Sequence, residues 1–275
     1  LDTYVDLTGD LSILFDRRVQ SGINRVQQLL ADQRHPEITL FETLLRPSGV
    51  YSKYPYVCYS NVLVCRILED IGILYNRIRD LDRADDASIL ARSVKESILE
   101  HFVVDGPYGK MFAQSIDLEG NYELGDDPEG SLQLLTYLGF CKPDDPVYLN
   151  TVYWIHSEYN ENMNAWNRIG ELNESLSASI FNAVNELLIG KPVRLLEFLK
   201  HASLNNGIAS EYVDLYNGKA VSGMGHASCA GYLAFGLRRA IGATVPPSAF
   251  VQEEKRRPSE TLYHPPPKVN THTRK

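Results

Sequence analysis

The sequence predicts an all-α fold in which buried and solvent-facing helices alternate as two concentric layers of a toroid. Three observations support this. Apolar residues recur every three to four positions over most of the chain, as in amphipathic helices. Alternate segments are apolar or small on nearly every face, as expected of helices buried on all sides. Links from buried to outer segments are about two to four residues long, whereas the return links run to roughly 15–25 residues. Loops this long within a compact domain usually carry a function.

Eight helices are predicted, and capping residues mark several of their ends. Asp10 is a good N-cap for the first helix. Asp127 and Asp145 are each followed by proline, which combines an N-cap with the favoured residue of the first helical position. Gly190 ends the sixth helix. The predicted helices span about residues 11–29, 61–78, 84–102, 127–140, 145–160, 175–188, 192–204 and 227–240.

The remaining segments predict a small hairpin and a tail. Residues 110–124 alternate like a pair of strands with Gly120-Asn121 as the turn, inside one long link. Residues 246–275 are rich in proline and read as an extended appendage. The expected organisation is therefore a helical domain over residues 1–245 and a tail.

Composition limits the classes of function. The chain has 275 residues and a formal net charge of −8, which argues against a broad nucleic-acid surface. No apolar run approaches the roughly 20 residues that span a bilayer, so no membrane partner is expected. The 4 cysteines form no CxxC pair and no His/Cys cluster has zinc spacing. We expect free thiols in a reducing, cytoplasmic compartment, and no metal or cofactor.

The second long link carries the densest group of acids. Its carboxylates repel one another, so some must be solvated, and others can lie at a helix N-terminus, whose dipole favours negative charge. Asp127 is read first as an N-cap, a role that leaves it able to bind sugar hydroxyls. The candidate binding residues in this link are Asp117, Glu119, Asp126 and Glu129.

Two other long links add candidates. Glu211 and Tyr212 lie in the fourth link, and His226 begins the last helix. The third link contains Trp166 among several asparagines. Aromatic faces with acids and amides suit a carbohydrate, although each aromatic is equally well an ordinary loop anchor. Motifs for a Ser/His/Asp triad or a phosphate loop are absent, so cleavage of a glycoside by opposed acids is the simplest chemistry.

Four segments together resemble glycoside hydrolase family 125. They are LDTYVDLTGD, YSNVLVCRILEDIG, GDDPEGSLQLLTYLGFCKPDDPVYLNTVYWIHSEYN and GIASEYVD, in that order over about residues 1–240. The resemblance implies an (α/α)6 barrel of six helical hairpins and an exo-acting α-1,6-mannosidase that inverts configuration without a metal. It places the family's general base at Glu211. Independently of the resemblance, a carboxylate among Asp117, Glu119 and Asp127 is expected to hold the sugar or to act as the acid, and Asp127 is the second predicted catalytic residue.

The sequence also departs from the family pattern. Pro128-Glu129 replaces the usual Ala-Asn, and only Glu211 agrees with the motif of the base. The family's general acid would precede Leu1, and eight predicted helices fall short of twelve. A missing N-terminal segment or a second chain is therefore expected. Two alternatives stay open, a phosphorylase of the same fold that binds phosphate through Lys219, Ser222 and His226, and a non-catalytic glycan-binding subunit.

Overall fold

The computed structural model describes residues 1–160, 177–202, 209–214, 217–223 and 225–240. Its α-helices are α1 (Asp2–Thr8), α2 (Arg17–Asp32), α3 (Cys58–Arg77), α4 (Leu81–His101), α5 (Pro146–Ile155), α6 (Ile180–Leu188), α7 (Val193–His201) and α8 (Ala227–Ala240). Short 3₁₀ helices lie at Leu11–Phe15, Pro128–Gly130 and Leu132–Leu135. The strands are β1 (Tyr56–Val57), β2 (Val103–Gly106), β3 (Gly109–Phe112), β4 (Ser115–Ile116), β5 (Tyr122–Glu123), β6 (Ser177–Ser179), β7 (Tyr212–Asp214) and β8 (Ala220–Ser222). The mainly helical class is confirmed.

The hairpin of α3 and α4 forms the centre of the fold. A three-residue link makes the two helices antiparallel neighbours. Asp80 caps α4 by accepting a hydrogen bond from the Arg83 N–H at 3.3 Å. Leu68 of α3 and Val94 and Ile98 of α4 belong to one buried cluster, which continues into α5, α6 and α7. The hairpin therefore supports the elements that carry the long links.

Several predicted helices are confirmed. The second, third, fifth, seventh and eighth are present, and the eighth has the predicted bounds, 227–240. The predicted cap of the fifth is also correct, because Asp145 accepts a hydrogen bond from the Val147 N–H at 2.8 Å. Gly190 follows α6 with φ of 88°, the left-handed conformation expected at a helix end.

The first and fourth predicted helices are wrong as continuous helices. Asp10 caps only the 3₁₀ helix that ends at Phe15, and Asp16 then starts α2 by accepting the Arg18 N–H at 2.8 Å. Asp127 caps only three residues, because Ser131 adopts an extended backbone and its hydroxyl caps the next 3₁₀ helix. In both places a short polar side chain, of Asp16 or Ser131, accepts a hydrogen bond from a backbone N–H nearby. This favours a new helix start over continuation of the preceding helix.

The sixth predicted helix begins later than expected. Residues 175 and 176 lie outside the described residues, and 177–179 form β6, which pairs with β7. Ser179 then caps α6 by accepting the Phe181 N–H at 3.2 Å. The strand therefore leads directly into an inner helix.

Two of the three small sheets lead into helices. The sheet β1–β4–β5 leads into α3, with Tyr56 opposite Ile116 and Ser115 opposite Glu123. The sheet β6–β7–β8 leads into α6, and a two-stranded sheet pairs β2 with β3. The predicted hairpin is present as β4 and β5, with Gly120 at φ of 97° in its turn. The sheets β1–β4–β5 and β6–β7–β8 therefore place parts of the long links at the starts of α3 and α6.

Burial only partly follows the predicted alternation. Residues 180–186 of α6 are all buried, as predicted for an inner helix. The prediction that α8 is buried on all sides is wrong within the described residues, since only Cys229, Leu233 and Gly236 of this helix are buried. A Cβ at Gly236 would lie 2.9 Å from Val184 Cγ1, so glycine allows α8 to approach α6 closely. No residue of α2 is buried.

A buried cluster of three ionisable side chains connects α6 to its neighbours. Arg194 Nε of α7 lies 3.1 Å from Glu186 Oε1 of α6, and His156 Nδ1, which follows α5, lies 3.7 Å from the same oxygen. Burial raises the pKa of Glu186 to about 7. Burial and the Arg194 charge lower the pKa of His156 to about 3. These contacts fix α6, which borders the cavity described below.

The cysteines are unpaired, as predicted. Cys58, Cys65 and Cys229 are buried and Cys141 is partly buried. Burial raises the pKa of the Cys65 thiol to about 12, so it stays protonated at neutral pH. Among the described residues, no helix combines the length and apolarity needed to cross a membrane. The predicted tail, 246–275, lies outside the described residues.

Replacing Leu68 by alanine tests the central hairpin. Leu68 is 1% exposed, whereas its neighbour Ile67 is 42% exposed on the same helix. We expect Leu68→Ala to lower the free energy of unfolding by about 2–5 kcal/mol, because a cavity is left in the core. Ile67→Ala is the matched control and should cost less than about 1 kcal/mol. Urea denaturation measures both, and equal losses would contradict the assigned core.

Candidate functional site

A cavity of about 230 Å³ lies where three of the long links meet. Residues 46–50 form one wall, the acidic segment 126–129 another, and the starts of α6 and β7 complete it. It is lined by Arg46, Ser48, Val50, Asp126, Asp127, Pro128, Glu129, Ser179, Phe181, Glu211 and Tyr212. Four acidic residues therefore line one small space.

Another cavity, of about 600 Å³, lies beside the turn between α3 and α4. Its charged lining includes Asp80 and Arg83, which form an ion pair with each other. The Arg83 side chain also donates to Gln20 Oε1 at 2.9 Å. These groups serve to fix the turn, so the smaller acidic cavity is the better candidate for chemistry.

Asp127 is held by backbone donors. Its Oδ2 accepts the Ser48 N–H at 3.0 Å, and its Oδ1 accepts the Glu129 N–H at 3.4 Å. The predicted N-cap role is thus correct. A carboxylate has about four acceptor sites, so two hydrogen bonds leave capacity for ligand hydroxyls. Asp127 is positioned as a fixed acceptor in the cavity wall.

Asp126 is nearly inaccessible, although it borders the same cavity. Its Oδ1 accepts the Leu132 N–H at 3.1 Å. The pKa of Asp126 is raised to about 7, mainly by burial and to a smaller extent by the charge of Asp127, against the opposing hydrogen bonds from Ser131 and Leu132. This acid therefore retains its proton well above the usual pH for aspartate.

Glu129 is more accessible than Asp126, and its pKa depends on the charges of Asp127, Glu211 and His226. Burial raises its pKa, and the charges of Asp127 and Glu211 raise it further. A protonated His226 would lower the same pKa, so this exposed histidine, which precedes α8, lies within electrostatic reach. Glu129 thus combines access to the cavity with a favoured neutral form.

Glu211 and Tyr212 are placed by the sheet β6–β7–β8. The Glu211 carbonyl accepts the Ile180 N–H at 2.9 Å, which fixes the start of β7 to the start of α6. Gly223 has φ of 67°, and a Cβ added there would lie 2.2 Å from Glu211 Cβ and 2.8 Å from its Oε2. Burial raises the pKa of Tyr212, and the charge of Glu211 adds to this. Glycine at 223 therefore makes room for the Glu211 side chain.

The cavity brings together most of the residues singled out in the sequence. Those on its wall are Asp126, Asp127, Glu129, Glu211 and Tyr212, and His226 is nearby. Asp117 and Glu119 are not among the lining residues. Asp117 accepts from Asn121 and from the Glu119 N–H at 2.8 Å, which closes the β4–β5 turn. Trp166 lies outside the described residues.

Sequence reasoning missed the wall formed by 46–50. Arg46 and Ser48 lie in a Pro/Gly-containing stretch that reads only as a turn, and no spacing links it to the acidic segment. Ser179 and Phe181 were assigned to the body of a helix, whereas they lie at its start. Among the described residues, no group of His, Cys, Asp and Glu is arranged to hold a metal ion.

Comparison with known proteins identifies the family of this chain. The family model described as "Metal-independent alpha-mannosidase (GH125)" matches residues 8–171, which is more than half of the chain. The chain therefore belongs to glycoside hydrolase family 125, as the resemblance implied.

Two relatives illustrate the similarity. The Meiotically up-regulated gene 157 protein of Schizosaccharomyces pombe is 27% identical over 234 residues, which cover 80% of this chain and 45% of that protein. A metal-independent alpha mannosidase from Streptococcus pneumoniae, solved as a non-productive complex with alpha-1,6-mannobiose, matches with a TM-score of 0.63 at 20% identity. That match covers 77% of this chain and 53% of the solved one, and it confirms the (α/α)6 barrel class. The chain spans about half the length of these relatives.

Substitution of Gly223 tests how the base candidate is positioned. Gly223 and Gly225 both have positive φ, but only Gly223 has Glu211 where a Cβ would be. We expect Gly223→Ala to displace the Glu211 side chain and to lower stability by more than the roughly 1–3 kcal/mol of backbone strain. Gly225→Ala is the matched control and should show the strain alone. Thermal unfolding and ligand binding measure both effects, and identical behaviour of the two variants would refute the contact.

The pKa of Asp126 predicts a pH dependence of stability. Its ordinary pKa of 3.8 applies in the unfolded chain, against about 7 when folded. Between these values the folded state binds more protons, so the free energy of unfolding falls as the pH rises. In Asp126→Asn this fall should be smaller by more than about 1 kcal/mol. Denaturation series at several pH values test it.

Glu186 provides a control for this measurement, because burial also raises its pKa to about 7. Glu186→Gln should flatten the pH dependence independently, and the double variant should be flatter than either. A slope in Asp126→Asn equal to that of the unmodified chain would contradict the assignment.

Proposed function

We propose that this protein hydrolyses a terminal α-mannoside, with inversion at the anomeric carbon. The observation that carries the proposal is the cavity in which four carboxyl groups meet in a member of glycoside hydrolase family 125. Inverting hydrolysis needs a protonated acid at the leaving oxygen and a carboxylate that activates water. A cavity lined by several acids, of which Glu129 has a raised pKa, offers candidates for both roles.

In this proposal Glu211 activates the water. It lines the cavity and is backed by Gly223, so its side chain is directed by packing. The main chain of Glu211 is fixed by the hydrogen bond to Ile180. A base must be held in one position relative to the water and the sugar, and this support provides it.

Glu129 is the proposed proton donor. Its raised pKa comes from burial and from Asp127 and Glu211, and these causes favour the neutral form that a general acid requires. Asp126 is also protonated at near-neutral pH, but it is buried and faces Ser131 and Leu132. Asp127, with its backbone hydrogen bonds, would bind sugar hydroxyls, and Tyr212 would pack against the ring.

Activity on two α-mannosides tests the proposal and the roles. One carries a dinitrophenyl leaving group, which departs without protonation, and the other is an α-linked mannobiose. We expect Glu211→Gln to lower kcat by about 10²–10⁴-fold on both substrates. Glu129→Gln should lose activity on the mannobiose and largely keep it on the aryl mannoside. Glu119→Gln, in the β4–β5 turn, is the matched control and should behave like the unmodified chain.

The same assay separates the alternatives. Release of β-mannose, seen by proton NMR in phosphate-free buffer, supports inverting hydrolysis. A requirement for phosphate would instead identify a phosphorylase. Sugar binding without turnover that is unchanged by Glu211→Gln would identify a glycan-binding subunit. The presence of a further N-terminal segment or a second chain stays a prediction, as does a cytoplasmic location.

A further inference from the structure

The turn at residues 44–52, which includes the cavity wall 46–50, is anchored to the β1–β4–β5 sheet by an ion pair. Arg46 Nη2 lies 2.8 Å from both carboxylate oxygens of Glu123, which belongs to β5. The two side chains are 20% and 22% exposed. The Ser115 hydroxyl donates to Glu123 Oε2 at 2.9 Å, and Ser115 itself is fully buried in β4. Glu123 is therefore a fixed acceptor attached to the β1–β4–β5 sheet.

The segment that carries Arg46 is internally rigid. The Arg46 N–H donates to the Val50 carbonyl at 2.8 Å, and the Gly49 N–H donates to the Arg46 carbonyl at 2.9 Å. The Ser52 N–H donates to the Leu44 carbonyl at 3.0 Å. Because these hydrogen bonds hold the turn together, fixing the position of Arg46 fixes the position of the whole turn.

Two contacts on this turn reach the acidic segment. The Ser48 N–H donates to Asp127 Oδ2 at 3.0 Å. A Cβ at Gly130 would lie 2.3 Å from Pro47 Cγ, so Pro47 occupies the space that the missing side chain leaves. The contacts are made by the residues one and two positions after Arg46, and both depend on where the turn lies.

We propose that Arg46 and Glu123 are a positioning pair, which holds the Ser48 N–H on Asp127 and thereby sets the shape of the acidic cavity. Arg46 is the one cation among the described residues that line this cavity. Its charge is engaged by Glu123, so it acts by placing the turn rather than by neutralising the four carboxyl groups. The functional importance of the pair rests on the proposed hydrolase activity.

Hydrogen exchange at the Ser48 amide tests the pair directly. Arg46→Met and Glu123→Gln should each raise the exchange rate of this amide by more than tenfold, because the turn is released from Asp127. The double variant should match the single variants within about twofold, since the two side chains act as one unit. NMR-detected exchange on the full chain measures all three.

A second ion pair supplies the matched control. Arg66 Nη2 lies 2.6 Å from Asp70 Oδ1 on α3, with side chains 12% and 27% exposed. Arg66→Met removes a pair of similar burial away from the cavity lining, and it should leave Ser48 exchange unchanged. If Arg46→Met does not fold, Glu123→Gln decides the question, because it keeps the side-chain shape. Unchanged Ser48 exchange in that variant overturns the proposal.

Turnover provides the functional readout. In Arg46→Met, kcat on the aryl α-mannoside should fall about tenfold and KM should change less than threefold, as expected when an aligned group is displaced. If the unmodified chain shows no turnover, the proposed activity fails while Ser48 exchange still tests the pair. Faster Ser48 exchange with an unchanged kcat would overturn the role of the pair in shaping the cavity. If the increases in exchange rate of the two single variants multiply in the double variant, the two side chains do not act as one unit.

Discussion

Mutual repulsion among the carboxyl groups of one small cavity is the constraint on which the arrangement of this site depends. Three of the four acids show how it is met. Burial raises the pKa of Asp126 to about 7, Asp127 accepts two backbone N–H groups, and burial with the charges of Asp127 and Glu211 raises the pKa of Glu129. The repulsion therefore appears at Glu129 as a raised pKa. A carboxyl group with a raised pKa beside other acids is what acid–base chemistry on a glycosidic bond uses.

The supports of the cavity come from separate parts of the chain. The α3–α4 hairpin carries the buried cluster, and the sheets β1–β4–β5 and β6–β7–β8 lie at the starts of α3 and α6. The ion pair of Arg46 and Glu123 connects the first of these sheets to the turn over Asp127. The short strands therefore connect the helices to the long links, which also bury side chains such as Leu40 and Phe112 in the main core cluster.

The helices were predictable where a strong local signal coincided with the packing. Asp145 followed by proline gave the start of α5, and the small apolar run at 227–240 gave α8. Asp127 carried the same start signal as Asp145, yet Ser131 ended the helix after three residues by capping another one. Local propensity does not determine which of two competing caps is used, because the outcome depends on contacts such as that of Ser48 with Asp127.

Within the candidate site, the acids were predictable and their partners were not. Glu211 and the segment 126–129 follow from acid content, link length and resemblance, whereas Arg46 and Ser48 carry no pattern of their own. Asp117 looked equivalent to Asp127 as an acid of the same link, but its carboxylate closes a turn through Asn121. The turn at 46–50 places the Ser48 N–H on the Asp127 carboxylate, and this contact distinguishes Asp127 from Asp117.

Helix α2 differs from the rest of the molecule in one respect with consequences for its dynamics. None of its residues is buried, and Val26 and Leu29 are 45% and 54% exposed. Little apolar area therefore couples it to the core, and an element with few buried contacts opens at a low free energy. We therefore expect α2 to open at a lower free energy than α3 and α4, whose side chains form the centre of the core. In hydrogen exchange this difference would appear as two levels of amide protection, one for α2 and a higher one for the α3–α4 hairpin.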